Sequence, residues 1–203
     1  MAHSFCNIKE SAEFVKAAAN ILFSTFSAIN KGAWPTEEEA SDTVRECIAA
    51  PNICIGILID KTLIGWAGLR PMYPVTWELH PLVIAKEYQG KGYGKLLINR
   101  LEEEAKMAGI IGIVLGTDDE TNSTSLSACG LTGENIFSEI SNIRNRKNHP
   151  YEFYKKCGYS IIGAIPNANG INKLDIWMWK DINGGSNVIR GNNVICGNTI
   201  PER

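Results

Sequence analysis

The feature that most constrains this chain is a strand, a glycine turn and a helix in immediate succession. A β-rich run from Thr76 to Ile84 leads into Gln89-Gly90-Lys91-Gly92-Tyr93-Gly94, and the glycines open an amphipathic segment from Lys95 to Met107. Leu97, Leu101, Ala105 and Ala108 share one helical face there, while Arg100, Glu102, Glu103 and Lys106 fall elsewhere. Gly109 ends the helix. Ile110 to Leu115 is nearly all apolar, as in a strand buried on both faces, and Gly116-Thr117-Asp118-Asp119 terminates it. A helical crossover between two strands makes them parallel, so the chain is directed to an α/β fold.

Around this unit the periodicity is readable for most of the length. Phe14, Ala17, Ala18, Ile21 and Leu22 recur at helical spacing within Lys9 to Phe23. Thr36-Glu37-Glu38-Glu39 has the form of a capping box and opens a second helix to about Ala49. Ile53 to Ile59 and Leu63 to Leu69 read as strands joined by a hairpin at Asp60-Lys61-Thr62. Glu120 to Asn148 is polar, with at most a helix around Glu134 to Arg144. A short helix from Tyr151 to Cys157 stops at Gly158, and Tyr159 to Ile165 and Lys173 to Trp179 follow as strands. The division expected is one domain over residues 1–182 and an Asn- and Gly-rich tail over 183–203.

Composition narrows the function. Twenty Lys plus Arg against 22 Asp plus Glu leave a net charge of -2, without the basic field that nucleic-acid binding needs. No apolar run approaches the roughly 20 residues that span a bilayer, and no cationic leader precedes one. A cytoplasmic protein is expected, with neither nucleic acid nor membrane as partner. The six cysteines, Cys6, Cys47, Cys54, Cys129, Cys157 and Cys196, form no C-x-x-C pair and lie at no zinc spacing from a histidine. They read as reduced structural thiols, and no metal is expected.

Glycines at a helix start let backbone N–H groups approach an anion, and the helix end adds partial positive charge. Such a loop can hold a pyrophosphate. It is neither a P-loop, which needs Gly-Lys-Ser/Thr, nor the dinucleotide fingerprint, which follows the first strand of its unit. As Gln89-x-x-Gly92-x-Gly94 it resembles the loop of the Gcn5-related N-acetyltransferase (GNAT) superfamily. Trp77-Glu78-Leu79-His80-Pro81-Leu82-Val83, Leu115 to Asp119, His149-Pro150-Tyr151-Glu152-Phe153-Tyr154 with Lys156-Cys157-Gly158-Tyr159, and Pro166 to Gly170 with Asp175-Ile176-Trp177-Met178 are similar to the aminoglycoside 6'-N-acetyltransferases of Gram-positive bacteria. The likeness covers about Gly65 to Lys180.

The resemblance implies a mixed, mostly antiparallel sheet with a central, splayed parallel pair and flanking helices. It implies acetyl-CoA as cosubstrate, held by Gln89, Gly90, Lys91, Gly92, Tyr93, Gly94 and Lys95, with the backbone amides of Leu82 and Val83 on the pantetheine arm and the thioester oxygen. Pro81, lacking an N–H, suits the place where the strands part. Acetyl transfer needs a neutral amine and therefore a proton acceptor. Glu78 is the candidate, with an outward strand residue or ion-pair partner as the alternative. Tyr154 matches the family's proton donor to the departing thiolate, or is a core tyrosine. Trp77, Glu78, His80, Asp118, Asp119 and Asp175 would bind an aminoglycoside or other polyamine, although His80 also fits a structural residue before proline and each Asp a turn or cap. The two tryptophans in Ile176 to Trp179, with the family habit, imply a homodimer. Polyamine or protein N-acetylation, and a catalytically silent CoA-binding regulator, are the alternative functions.

Overall fold

In the computed structural model, which describes residues 2–27 and 33–184, seven strands form one sheet in the order β1-β2-β3-β4-β5-β7-β6. They are β1 (His3–Asn7), β2 (Ile53–Ile59), β3 (Thr62–Pro71), β4 (Thr76–Ile84), β5 (Gly112–Asp119), β6 (Ser160–Ile165) and β7 (Leu174–Asp181). The helices are α1 (Ala12–Phe26), α2 (Glu37–Ile48), α3 (Tyr93–Met107), α4 (Ile136–Ser141) and α5 (Tyr151–Lys156). Every neighbouring pair of strands is antiparallel except β4 and β5, which are parallel across the α3 crossover. No helix among the described residues is long and apolar enough to cross a membrane.

Local chemistry sets these boundaries. Thr36 caps α2, its hydroxyl accepting from Glu39 N at 3.2 Å. Ser11 caps α1 in the same way through Glu13 N, so α1 begins later than the apolar spacing predicts, and Ile8–Glu10 forms a separate 3-10 turn. Asp60 and Lys61 both take positive φ, as a two-residue hairpin with matching twist requires.

The sheet is packed on both sides in its first half. α3 covers one face, where Ile57, Leu69, Leu97, Leu101, Ile113, Leu115 and Met178 are buried. α1 and α2 cover the other, with Ala18, Leu22, Val44, Trp66 and Val83. Four expectations change. β5 runs on through Asp119, which pairs with Leu174. Glu102 belongs to the buried side of α3, where Lys180 Nζ meets its carboxylate at 2.6 and 2.7 Å, while Ala108 is exposed. β1 was not anticipated at all. The strip Glu134 to Arg144 reduces to α4, and the tail from residue 185 lies outside the described residues.

β4 carries the decisive irregularity. Its register with β3 steps from Ala67↔Leu82 to Leu69↔Leu79, so one extra residue of β4 is accommodated opposite Gly68. A Cβ on Gly68 would lie 2.5 Å from His80 O, which explains the glycine. The bulge reverses side-chain alternation. Leu79 joins the α3 core and Val83 joins the α1/α2 core, though both are odd-numbered. On its other edge β4 pairs with β5 only at Thr76↔Gly112, Trp77↔Ile113 and Glu78↔Val114. Beyond Glu78 the two strands part.

Candidate active site

Register places the candidate side chains. On β3 and β4, Arg70 stands opposite Glu78; Glu78 stands beside Val114; and across β5 and β7, Gly116 faces Trp177 and Asp118 faces Asp175. With a period of two, Arg70, Glu78, Gly116, Asp118, Asp175 and Trp177 therefore share one face of the sheet. It is the face that α1 and α2 cover over the first strands.

Each side chain on this face has a distinct setting. Arg70 Nε donates to Glu78 Oε2 at 2.7 Å. His80 stacks at 5.9 Å between ring centroids from Trp34, and its carbonyl accepts from Cys47 Sγ of α2 at 3.3 Å. Burial, helped by the nearby Arg70 charge, holds the His80 imidazole below its ordinary range and so neutral. Asp118 accepts from Asn169 Nδ2 at 2.6 Å, and burial pushes its carboxyl up. Asp175 is pushed further, to about 6, by burial and by the neighbouring Asp118 charge. Its Oδ1 is buried without a hydrogen-bond partner among the described residues; Trp177 turns its indole N–H toward Asp175 without reaching bonding geometry, so Trp177 Nε1 is unsatisfied too. Gly116 makes room for this carboxylate, since a Cβ there would sit 2.5 Å from Asp175 Oδ2.

Asp119 departs from expectation. It points to the opposite face, is 0% exposed, and accepts from Ser123 N at 2.5 Å, Thr124 N at 2.9 Å and Thr124 Oγ1 at 2.7 Å. It folds the loop after β5 and is closed to any substrate. His149 does related work. Tyr151 N donates to its Nδ1 at 3.2 Å, which fixes the tautomer with hydrogen on Nε2, donated to Asp118 O at 3.0 Å. The start of α5 is thereby tied to the end of β5.

At the parting of β4 and β5 the backbone is open. Ala85 N donates to Ile64 O at 2.8 Å, and antiparallel alternation then turns Val83 N–H toward β3 as well. Leu82 and Ile84 present their N–H groups to the gap. Of the two amides expected on a pantetheine arm, that of Leu82 faces the gap and that of Val83 faces β3. The glycine loop follows: Gln89 Nε2 donates to Ile84 O at 2.8 Å, and Gly90 and Gly92 take φ of 71° and 87° with nothing near a would-be Cβ. Gly92 caps α3 without a side-chain bond, which leaves the first amides, of Tyr93 and Gly94, at the helix end, while Lys95 N and Leu96 N donate to Gly92 O at 3.1 and 3.2 Å. Lys91 turns back to Glu87 O at 2.8 Å and over the Tyr88 ring.

Tyr154, on α5, packs between Phe153 and Tyr159, and burial raises its hydroxyl well above the ordinary tyrosine range. α5 lies against the start of α3, where a Cβ on Gly94 would come within 3.1 Å of Phe153 Cζ. Trp77, expected at the substrate, departs from expectation: it precedes Glu78 on β4, so it turns to the opposite face and is half-buried at the edge of the α3 core. An open concavity of about 340 Å³ lies elsewhere, between Glu120, Arg146 and Lys173, and includes none of the expected site residues. The thiols of half-buried Cys6 and buried Cys47 do not resemble nucleophiles, since desolvation pushes them to about 11 and about 12. Arg70, the partner of Glu78, was not singled out from sequence.

The model of the acetyltransferase (GNAT) family matches residues 16–129. The chain belongs to the GNAT acetyltransferase family. A crystal structure of an aminoglycoside 6'-N-acetyltransferase complexed with coenzyme A is 34% identical, with a TM-score of 0.81, over 90% of this chain and 97% of that one. The aminoglycoside 6'-N-acetyltransferase from Enterococcus faecium is 36% identical, with a TM-score of 0.79, over the same shares. Among curated proteins, N-alpha-acetyltransferase RimI of Mycobacterium tuberculosis is 29% identical over 79 residues, which is 37% of this chain and 49% of RimI. An uncharacterized protein of Mycobacterium leprae is 31% identical over 91 residues, 43% of this chain and 24% of that protein. The chain thus spans less than half the length of the curated relatives it matches. Family and fold follow the reading made from sequence, including the parallel pair that splays.

Proposed function

We propose that this GNAT acetyltransferase transfers the acetyl group of acetyl-CoA to the 6'-amine of an aminoglycoside, and that in a bacterium it confers resistance. The observation that carries the substrate class is the shared sheet face: Glu78, Asp118 and Asp175 beside Trp177, at the point where β4 and β5 part. Several carboxylates at fixed spacing suit a rigid polyammonium sugar, whose own rigidity lowers the entropy lost on binding. The likeness to two aminoglycoside 6'-N-acetyltransferases over nearly their full length supports the same substrate class.

An alkylamine with a pKa near that of lysine is neutral in only about one molecule in 10³ at pH 7. Glu78 takes that proton, directly or through a water, and the free amine attacks the thioester carbonyl. Leu82 N–H, facing the gap, donates to the oxyanion of the tetrahedral intermediate. The C–S bond then breaks, Tyr154 gives its proton to the thiolate of coenzyme A, and the second proton leaving the new amide nitrogen passes through water to restore the Tyr154 hydroxyl. The glycine loop holds the pyrophosphate on the amides that open α3, with no covalent enzyme intermediate. His80 borders the amine from the same face, and Asp118 and Asp175 hold its remaining ammonium groups.

A homodimer in the cytoplasm completes the reading. The tryptophans do not supply its surface, because β7 lies inside the sheet and both are half-buried; exposed Phe137 of α4 and Ile162 and Ile165 of edge strand β6 do. Light scattering at micromolar concentration is expected to give twice the chain mass. The substrate test is a mass-spectrometric screen of amines with acetyl-CoA, paired with expression in a susceptible bacterium. Protection is expected against aminoglycosides with a 6'-amine and not against those with a 6'-hydroxyl. Rapid acetylation of a polyamine or of a peptide N-terminus, the latter the reaction named for RimI, without protection would overturn the aminoglycoside assignment. Coenzyme binding without turnover of any amine would make the chain a regulator.

A further inference from the structure

The cation in this acidic face has a specific seat. Arg70 and Glu78 are direct cross-strand neighbours on β3 and β4, so their side chains leave the sheet side by side. The contact is single: Arg70 Nε to Glu78 Oε2 at 2.7 Å. Among the described residues nothing else bonds to Glu78, so Oε1 stays available for a proton. A glutamate has three side-chain torsions, and an unanchored one spends its time in many rotamers. Here one oxygen is tethered and the other is left to work.

The charges facing this pair come from every element around it. Asp118 lies on β5 and Asp175 on β7, His80 is on β4 itself, and Glu46 and Cys47 reach in from α2. All the ionisable acids among them carry negative charge when ionised, and like charges at short range favour protonation of one member. Arg70 opposes this. The guanidinium favours the deprotonated form of His80 and of Cys47, and it is hydrogen-bonded to Glu78. It also sits where a substrate ammonium would approach, and a fixed positive charge beside a bound ammonium favours loss of its proton.

We infer that Arg70 is the positioning residue for Glu78, tethering Oε2 and supplying the positive charge that keeps the carboxylate able to accept the amine proton. The inference rests on the reading of Glu78 as proton acceptor. It assigns Arg70 no contact with the reacting atoms.

The test is a double-mutant cycle in kcat/KM on an amine that the parent acetylates, with pH profiles. Glu78→Gln should lower kcat/KM about 10²-fold, the usual scale for loss of a general base. Arg70→Met should lower it about tenfold at pH 7, chiefly in kcat, and move the acid limb of the profile up by about one pH unit, as loss of an adjacent opposite charge does. Arg70→Lys retains the charge but not the planar donor, so its acid limb should stay near the parent's while kcat falls. In the Glu78→Gln background, Arg70→Met should cost less than a further twofold. Losses that multiply in the double variant, or an Arg70→Met profile superimposable on the parent's, would overturn the role of Arg70 alone. Glu78→Gln as active as the parent, or a parent that acetylates no amine, would overturn the reading beneath it together with the inference.

Discussion

Asp175→Asn is expected to make the protein more stable and less effective, and the pH dependence identifies the cause. In the folded chain the Asp175 carboxyl titrates at about 6 against an ordinary 3.8, because it is buried and faces Asp118. Folding therefore takes up a proton in the window between those values. Below about pH 4 the carboxyl is neutral in both states and imposes no penalty; as pH rises through 6, the folded state must hold a charge that water would solvate better. A shift of this size would correspond to about 3 kcal/mol in a fully buried group. Asp175 is only partly buried, and solvent screening reduces the penalty to about 1 kcal/mol. The amide removes it, so for a chain of this size Tm should rise by about 2–4 °C at pH 7.5 and be unchanged near pH 4. In the same variant the KM for a 6'-amino aminoglycoside should rise more than kcat falls, since an acid that holds distant ammonium groups binds ground and transition states alike. A lower Tm at pH 7.5, or a Tm difference that ignores pH, would refute this account of the buried carboxylate.

Three further outcomes are expected. Lys180→Met leaves Glu102 buried without its cation and Cys157 O without its donor, so denaturant titration should show a loss of about 3 kcal/mol, and the double variant Lys180→Met, Glu102→Leu should regain most of it. Gly92→Asp and Gly94→Asp should abolish acetyl-CoA binding in calorimetry, whereas Lys91→Ala should only weaken it, because Lys91 is bonded to Glu87 O; unchanged binding in both glycine variants would remove the loop from the coenzyme site. Gly116→Ala brings a methyl against the movable end of Asp175 and not against backbone, so KM for the amine should rise about tenfold, the scale of one displaced charged contact, while Tm stays within a few degrees.

What could be read from residues alone was what is encoded locally. β2 and β4 have the expected bounds, the capping box opens α2 where Thr36 predicts, and the βαβ unit with its glycine turn emerges intact. Pairing decided the rest. β1, with the sequence HSFCN, has no apolar run and is a strand only because Ile55 to Ile59 offer it an edge. Glu102 looked solvent-bound on a helical wheel, but Lys180, 78 residues away, neutralises it inside the core. Asp118 and Asp119 are adjacent acids with opposite fates, because a strand sends neighbours to opposite faces and only one of those faces is open. Arg70 escaped notice for a related reason. Its role exists only across the β3–β4 register, and no spacing within one strand announces it.

The extra residue in β4 acts on the chain beyond it as an inserted base acts on codons. Everything upstream, including Glu78, is read in one frame, and everything downstream, from Leu82 through Ile84, in the other. Glu78 can therefore lie on the open side while Ile84, also even-numbered, is driven into the α3 core. Deleting any one residue between Leu79 and Leu82 would restore a single frame and exchange the places of Val83 and Ile84, exposing one core to the other's side chains. Length changes in this lineage are accordingly to be sought in the turns and in the polar stretch between β5 and α5, where no alternation is at stake, and never in these four positions.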